Sequence, residues 1–146
     1  MANEAEILKM VQNSPVDVYA PLNTSPTGFP SPAADYFEDS INIENYLTPN
    51  PTATFYVRYT GDSMTDSGIF PGSILVIDRS LPLKNNKIVM AVVNGEMVVK
   101  HYIKNSSGIK LVPANKKYQP IPITEGMEFS IWGRVSKIIT DVDCIS

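Results

Sequence analysis

The chain has 146 residues, a formal net charge of −3, 43% hydrophobic and 9% aromatic residues, which fits one domain with a core of ordinary size. A single cysteine, Cys144, excludes an internal disulfide, and with one histidine in the chain there is no metal-ligand cluster to propose and no cofactor is expected; the simplest expectation is a reducing, cytoplasmic setting. Residues 1 to 57 carry one base, Lys9, against seven acids, which argues against a nucleic-acid arm, because phosphate neutralisation needs Lys and Arg.

In chain order, the start Met1-Ala2-Asn3-Glu4-Ala5-Glu6 lacks the basic residues and apolar stretch of a signal peptide. Asn3 with Glu6 three residues on predicts a capped short helix to about Gln12, with Ile7, Leu8 and Val11 on one side. Five of the twelve prolines, Pro15, Pro21, Pro26, Pro30 and Pro32, follow within a short stretch. Each fixes its φ and removes a backbone donor, so this stretch is expected to be an extended, mobile arm. A second short helical piece is expected over Ile41 to Leu47, ended by Thr48-Pro49-Asn50-Pro51.

From Thr54 the signal is β. Thr54–Tyr59, Ile74–Asp78, Lys87–Val93, Glu96–Ile103, Ile109–Val112 and Phe129–Ile139 are runs rich in β-branched and aromatic residues, separated by Gly, Pro, Asn and Asp. Asn94-Gly95 between two of them signals a two-residue hairpin, since both residues tolerate φ > 0. The expected fold is mainly β, a compact sandwich or partly closed barrel of short strands with an extended N-terminal arm. The longest apolar run, Ile88 to Val93, is too short to span a membrane.

Two residues call for chemistry. In the strand Glu96–Ile103, alternation places Val98, Lys100 and Tyr102 on one face and Met97, Val99, His101 and Ile103 on the other. Both faces are largely apolar, so Lys100 is expected to point into a poorly hydrated site. Desolvation disfavours an ammonium and lowers a lysine's pKa, which makes a neutral amine available as a general base. Ser63, in the turn Gly61-Asp62-Ser63-Met64, follows the strand Thr54–Tyr59, and a serine is a weak nucleophile until such a base takes its proton. Its turn is suited to exposing the hydroxyl and aiming backbone N–H groups, that of Ser63 among them, at an oxyanion. It is not an α/β-hydrolase elbow, because Thr65 stands two places after Ser63. His101 is expected on the opposite face from Lys100, which disfavours a Ser-His-Asp triad.

Each feature also has an ordinary reading. A Gly-Asp-Ser turn is in most proteins a loop, and a strand lysine commonly runs its stem along the surface with its ammonium in water. His101 and Cys144 read as structural or solvent-facing, and Phe129 and Trp132 as core.

The segments Gly28–Tyr36, Pro51–Tyr56, Gly61-Asp62-Ser63-Met64, Val98-Val99-Lys100, Leu111–Asn115 and Ile131–Val135, in this order and spacing, resemble the LexA/UmuD family of self-cleaving serine peptidases, type S24. The resemblance runs from about Gly28 to about Ile139 and implies a LexA C-terminal-domain-like fold. It also implies that Ser63 is the nucleophile and Lys100 the general base of a Ser/Lys dyad. The substrate it implies is the chain's own arm, cut between Thr27 and Gly28. The family usually has Ala or Cys where Thr27 stands, and a β-branched Thr is stiffer at χ1. The expected organisation is a regulatory arm at 1–27, a linker at 28–53 and an S24-type β domain at 54–146.

By the same resemblance, a RecA filament on single-stranded DNA stimulates the cut. The product is a homodimer that serves a Y-family DNA polymerase subunit (UmuC-like) in translesion synthesis during the SOS response to DNA damage. Only 27 residues precede Gly28, with Lys9 their one base, so neither the DNA-binding domain of the repressor branch nor direct DNA binding is expected. Two alternatives are a polymerase-binding module with weak peptidase activity and a phage or plasmid regulator that retains the peptidase domain. A membrane-anchored, signal-peptidase-like Ser/Lys enzyme is disfavoured by the lack of an anchor.

Overall fold

The computed structural model describes residues 5–8 and 41–145. The prolines of the arm from Pro15 to Pro32, and Thr27-Gly28, lie outside the described residues. Among the described residues, eight antiparallel strands form one sheet: β1 (Ala5–Leu8), β2 (Thr54–Tyr59), β3 (Ile74–Asp78), β4 (Ile88–Val93), β5 (Glu96–Asn105), β6 (Gly108–Val112), β7 (Ile121–Pro122) and β8 (Phe129–Ile139). Their order is β1-β2-β3-β8-β4-β5-β6-β7. In that order β1 and β5 are five places apart, about 24 Å in a flat sheet at about 4.8 Å per strand. Their Cα atoms nevertheless come within 8 Å of one another. The sheet therefore curls into the expected mainly β, partly closed barrel.

The β4–β5 hairpin turns at Asn94 (φ 50°) and Gly95 (φ 83°), the positive-φ pair that matches the twist of two-residue hairpins. This tight turn sets Val93 opposite Glu96 and carries the register on to Val89 opposite Lys100. Burial follows on both faces of β5. Val99 packs with Val57, Tyr59, Met64, Leu75 and Met90, while Val98 and Tyr102 pack with Val89, Ala91 and Leu111.

The long strand β8 joins the two halves of the sheet, pairing with both β3 and β4, and it does so with two irregularities. Its register shifts against β4 between Met90 and Ala91, leaving Trp132 as the extra residue. It shifts against β3 between Val76 and Ile77, leaving Ser136 extra. Such bulges sharpen the local bend and twist, which curls the sheet. Beside the first, Gly133 is required by close approach: a Cβ there would stand 2.5 Å from Ile77 Cγ2. Trp132 and Phe129, expected in the core, are half-buried at its margin. Trp132 meets Phe55 edge-on at a centroid distance of 4.9 Å and lies under the Arg79 guanidinium at 4.6 Å.

The expected helix from Asn3 to Gln12 gives way, in its described part, to a strand. Ala5–Leu8 pairs antiparallel with β2, Ala5 opposite Tyr59 and Leu8 opposite Tyr56. An isolated helix of roughly ten residues is marginal in water, whereas β2 offers an open row of backbone donors and acceptors that a strand completes. The second helical expectation holds as α1 (Ile43–Leu47), capped by Asn42 Oδ1 accepting from Asn45 N–H. A 3₁₀ turn over Pro51–Ala53 leads from it into β2. No helix among the described residues is long and apolar enough to cross a membrane.

Asp78 at the end of β3 ties this lead-in segment to the sheet. It is 2% exposed and accepts from Asn50 Nδ2 at 2.9 Å, Ser80 N at 2.8 Å and Ser80 Oγ at 2.5 Å. Burial works to raise its pKa, but the hydrogen bonds from Ser80 and Asn50 and the charge of Lys137 outweigh burial and hold it below its ordinary 3.8. A depressed carboxyl contributes stability that is present above the unfolded-state pKa and lost as pH falls through the folded one. At pH 7, Asp78→Asn is expected to lower stability by about 1–2 kcal/mol. In denaturant melts the gap should close as pH is taken below 3.8; a gap that persists unchanged there contradicts this assignment.

Candidate active site

The chain from β2 to β3 first forms the loop Thr60–Met64 and then a 3₁₀ turn over Thr65–Ser67 that ends at Gly68 in a left-handed conformation (φ 85°). Met64 is the anchor. Its side chain is fully buried in the core, and its carbonyl accepts from Ser67 N at 3.0 Å and Ile69 N at 3.2 Å. The segment after β6 straps the same loop down. Ala114 N donates to Ser63 O at 2.8 Å, Asp66 N donates to Ala114 O at 2.7 Å, and Asn115 Nδ2 donates to Asp62 O at 2.7 Å. The Tyr118 hydroxyl donates to the Asp62 carboxylate. Beside this strap is an open cavity of about 250 Å³, bordered by Asp66, Val112, Ala114 and Tyr118.

Against this fixed loop, β5 delivers its lysine. Lys100 Nζ stands 2.7 Å from Ser63 Oγ. Lys100 is 4% and Ser63 1% exposed, so the two polar groups meet where water has little access. Isolated burial of an amine or hydroxyl is costly, and pairing offsets part of that cost. A contact this short between an amine and a hydroxyl allows direct proton transfer when the amine is neutral, which is the geometric condition for a general base.

A third group joins the cluster, and it was not among the expected site residues. The Tyr59 hydroxyl lies 2.9 Å from Ser63 Oγ and accepts from the Ser63 backbone N–H at 3.2 Å. Tyr59 is fully buried. Nothing in an alternating apolar strand marks one of its tyrosines as polar at the tip; the only signal available was its position four residues before Ser63. The Ser63 N–H, expected to serve an oxyanion, is here directed to this phenol oxygen.

His101 goes elsewhere. Its Nε2 is 2.8 Å from Ser67 Oγ and its Nδ1 is 3.2 Å from Asn86 O, so it pins the 3₁₀ turn to β5. Cys144 is free and exposed. Among the described residues no group of three or more His, Cys, Asp or Glu side chains is arranged to hold a metal ion. Thr27 and Gly28 are outside the described residues.

Comparison with known proteins adds family context. The chain matches the family model described as Peptidase S24-like over residues 21–136, an interval that contains Thr27, Gly28, Tyr59, Ser63 and Lys100. It is 38% identical over 135 residues to Protein SamA of Salmonella typhimurium strain LT2, covering 91% of this chain and 94% of that one. It is 38% identical over 113 residues to Protein MucA of Escherichia coli, covering 75% of each chain. It is also similar to the LexA repressor of Carboxydothermus hydrogenoformans, 37% identical over 116 residues, 78% of this chain and 55% of the repressor.

A buried amine that serves no reaction is a poor use of a core position, which yields a stability prediction. Lys100→Met keeps the stem's length and removes the amine, so it is expected to unfold at the same or higher denaturant concentration than the wild type. Ser63→Ala removes the oxygen shared by Lys100 and Tyr59 and is expected to cost about 1 kcal/mol. Equilibrium unfolding of both variants checks this; a Lys100→Met protein destabilised by several kcal/mol would show that the amine is structural.

Proposed function

The chain belongs to the Peptidase S24-like family, and on that premise we propose that Ser63 and Lys100 are its catalytic nucleophile and general base, acting on the chain's own arm at Thr27-Gly28. The observation that carries the proposal is the 2.7 Å contact between Lys100 Nζ and Ser63 Oγ, made by two nearly inaccessible side chains on separate elements. A charged residue placed for solubility would sit in water, and a chance ion-dipole contact would not be enclosed by the core.

In the proposed reaction Lys100 in its neutral form takes the Ser63 proton while Oγ bonds to the Thr27 carbonyl carbon. The tetrahedral intermediate collapses as the Lys100 ammonium returns that proton to the departing Gly28 amine. Water then attacks the Ser63 ester, with Lys100 again as base, and releases a Thr27 carboxylate. The Ser63 N–H suits the developing oxyanion, because a carbonyl oxygen entering there exchanges for a bond to Tyr59 that is long at 3.2 Å. Tethering makes the attack intramolecular, which raises the effective concentration of a substrate that would otherwise bind weakly. Thr27 and Gly28 enter by resemblance alone.

The cellular role follows the same resemblance: an SOS-response protein of the UmuD type, cytoplasmic, whose arm is cut when a RecA filament on single-stranded DNA favours the docked arrangement. The product, Gly28 to Ser146, acts as a homodimeric accessory subunit of a UmuC-like Y-family polymerase in translesion synthesis. Similarity over 94% of SamA supports this role.

The test is intact-mass measurement of the full chain incubated with RecA, single-stranded DNA and a nucleotide cofactor. A product beginning at Gly28, absent in Ser63→Ala and Lys100→Ala, is expected. A chain that stays whole under these conditions while binding the polymerase contradicts the peptidase reading, and a cut at another bond relocates the substrate.

A further inference from the structure

Beside Lys100, the Tyr59 hydroxyl also stands at Ser63 Oγ. We propose that Tyr59 is a positioning residue for the nucleophile, its hydroxyl donating to Ser63 Oγ whenever the Ser63 proton is turned toward Lys100. The inference rests on the reading of Ser63 and Lys100 as nucleophile and base.

The hydrogen-bond inventory supports it. A hydroxyl has one proton to give and two lone pairs. When Lys100 is an ammonium it donates to Ser63 Oγ across 2.7 Å, and the Ser63 proton is free to turn to the Tyr59 oxygen at 2.9 Å. When Lys100 is neutral, the Ser63 proton turns to Nζ, and the Tyr59 hydroxyl at 2.9 Å is placed to donate to Oγ. One phenol can thus bond Ser63 Oγ in both protonation states by reversing its direction. Its oxygen also accepts the Ser63 backbone N–H, so Tyr59 holds the serine at two atoms.

Tyr59 is rigid enough for this task. Its backbone N–H donates to Ser73 O at 2.8 Å and its carbonyl accepts from Gly72 N at 2.7 Å, while its ring is fully buried with Val57, Met64, Ile69 and Leu75. A donor held by the core needs no reorganisation when charge develops. During attack the Ser63 O–H bond breaks, the proton passes to the Lys100 lone pair and the Oγ–carbon bond forms. Tyr59 keeps its own proton throughout and stabilises the negative charge growing on Oγ.

Tyr59→Phe isolates the role, because it removes one oxygen and keeps the ring in the core. Three quantities are read on the full chain: thermal melting, self-cleavage with activated RecA, and the rate at which diisopropyl fluorophosphate modifies Ser63, with Ser63→Ala as the blank. The reagent forms an Oγ–phosphorus bond and expels fluoride, and it needs no arm docking. We expect a melt lowered by a few degrees with the chain still folded at the assay temperature, and both rates reduced together by roughly ten- to a hundredfold. A reagent rate equal to wild type overturns the proposal, whether or not self-cleavage falls, because Tyr59 would then act on the arm or on packing alone. A wild type that neither cleaves itself nor reacts with the reagent overturns the Ser63/Lys100 reading and this inference with it.

Discussion

The contact between the Lys100 amine and the Ser63 hydroxyl, 2.7 Å long and closed off from water, is the constraint the surrounding structure serves. Neither partner is tolerable in a core alone, because an unpaired amine or hydroxyl there forfeits its hydration. The fold must therefore deliver both from different directions and hold them. The Asn94-Gly95 turn fixes the register of β5 and so the place of Lys100. The Ala114 strap and the buried Met64 side chain fix the loop that carries Ser63.

The parts that were legible in the sequence are those set by local chemistry. Ile74–Asp78, Phe129–Ile139 and Thr54–Tyr59 were readable as strands because β-branched and aromatic residues run between clear breakers. The hairpin was readable because only residues tolerant of positive φ fit its turn. Alternation along Glu96–Ile103 was enough to separate Lys100 from His101, which the structure ties to Ser67 and Asn86.

What was not legible depends on distant partners. Ala5–Leu8 has a helix-like start, and its strand exists by pairing with β2, many residues away. Ile121–Pro122 is a two-residue edge strand containing a proline, which local patterning reads as loop. The bulges at Trp132 and Ser136 are hidden inside one unbroken β-type run, since the extra residues appear only when β8 is matched to β3 and β4 at once. Tyr59 was the costliest omission at the candidate site. Its ring satisfies the apolar pattern of β2, and its hydroxyl acquires meaning only when the following loop folds back to place Ser63 beside it. Ala114 and Asn115 were noticed for their resemblance alone, and they bond the loop that carries Ser63 directly.

The proposed pairing of a neutral amine with a serine makes one direct demand, since a base accepts a proton only when it carries none. The measurement is the single-turnover rate of self-cleavage of the full chain across pH, wild type against Lys100→Met. The lysine-base assignment predicts a wild-type rate that rises as pH is raised, with no cleavage by Lys100→Met at any pH. A wild-type rate that is flat with pH, together with a Lys100→Met protein that still cuts itself, would contradict it.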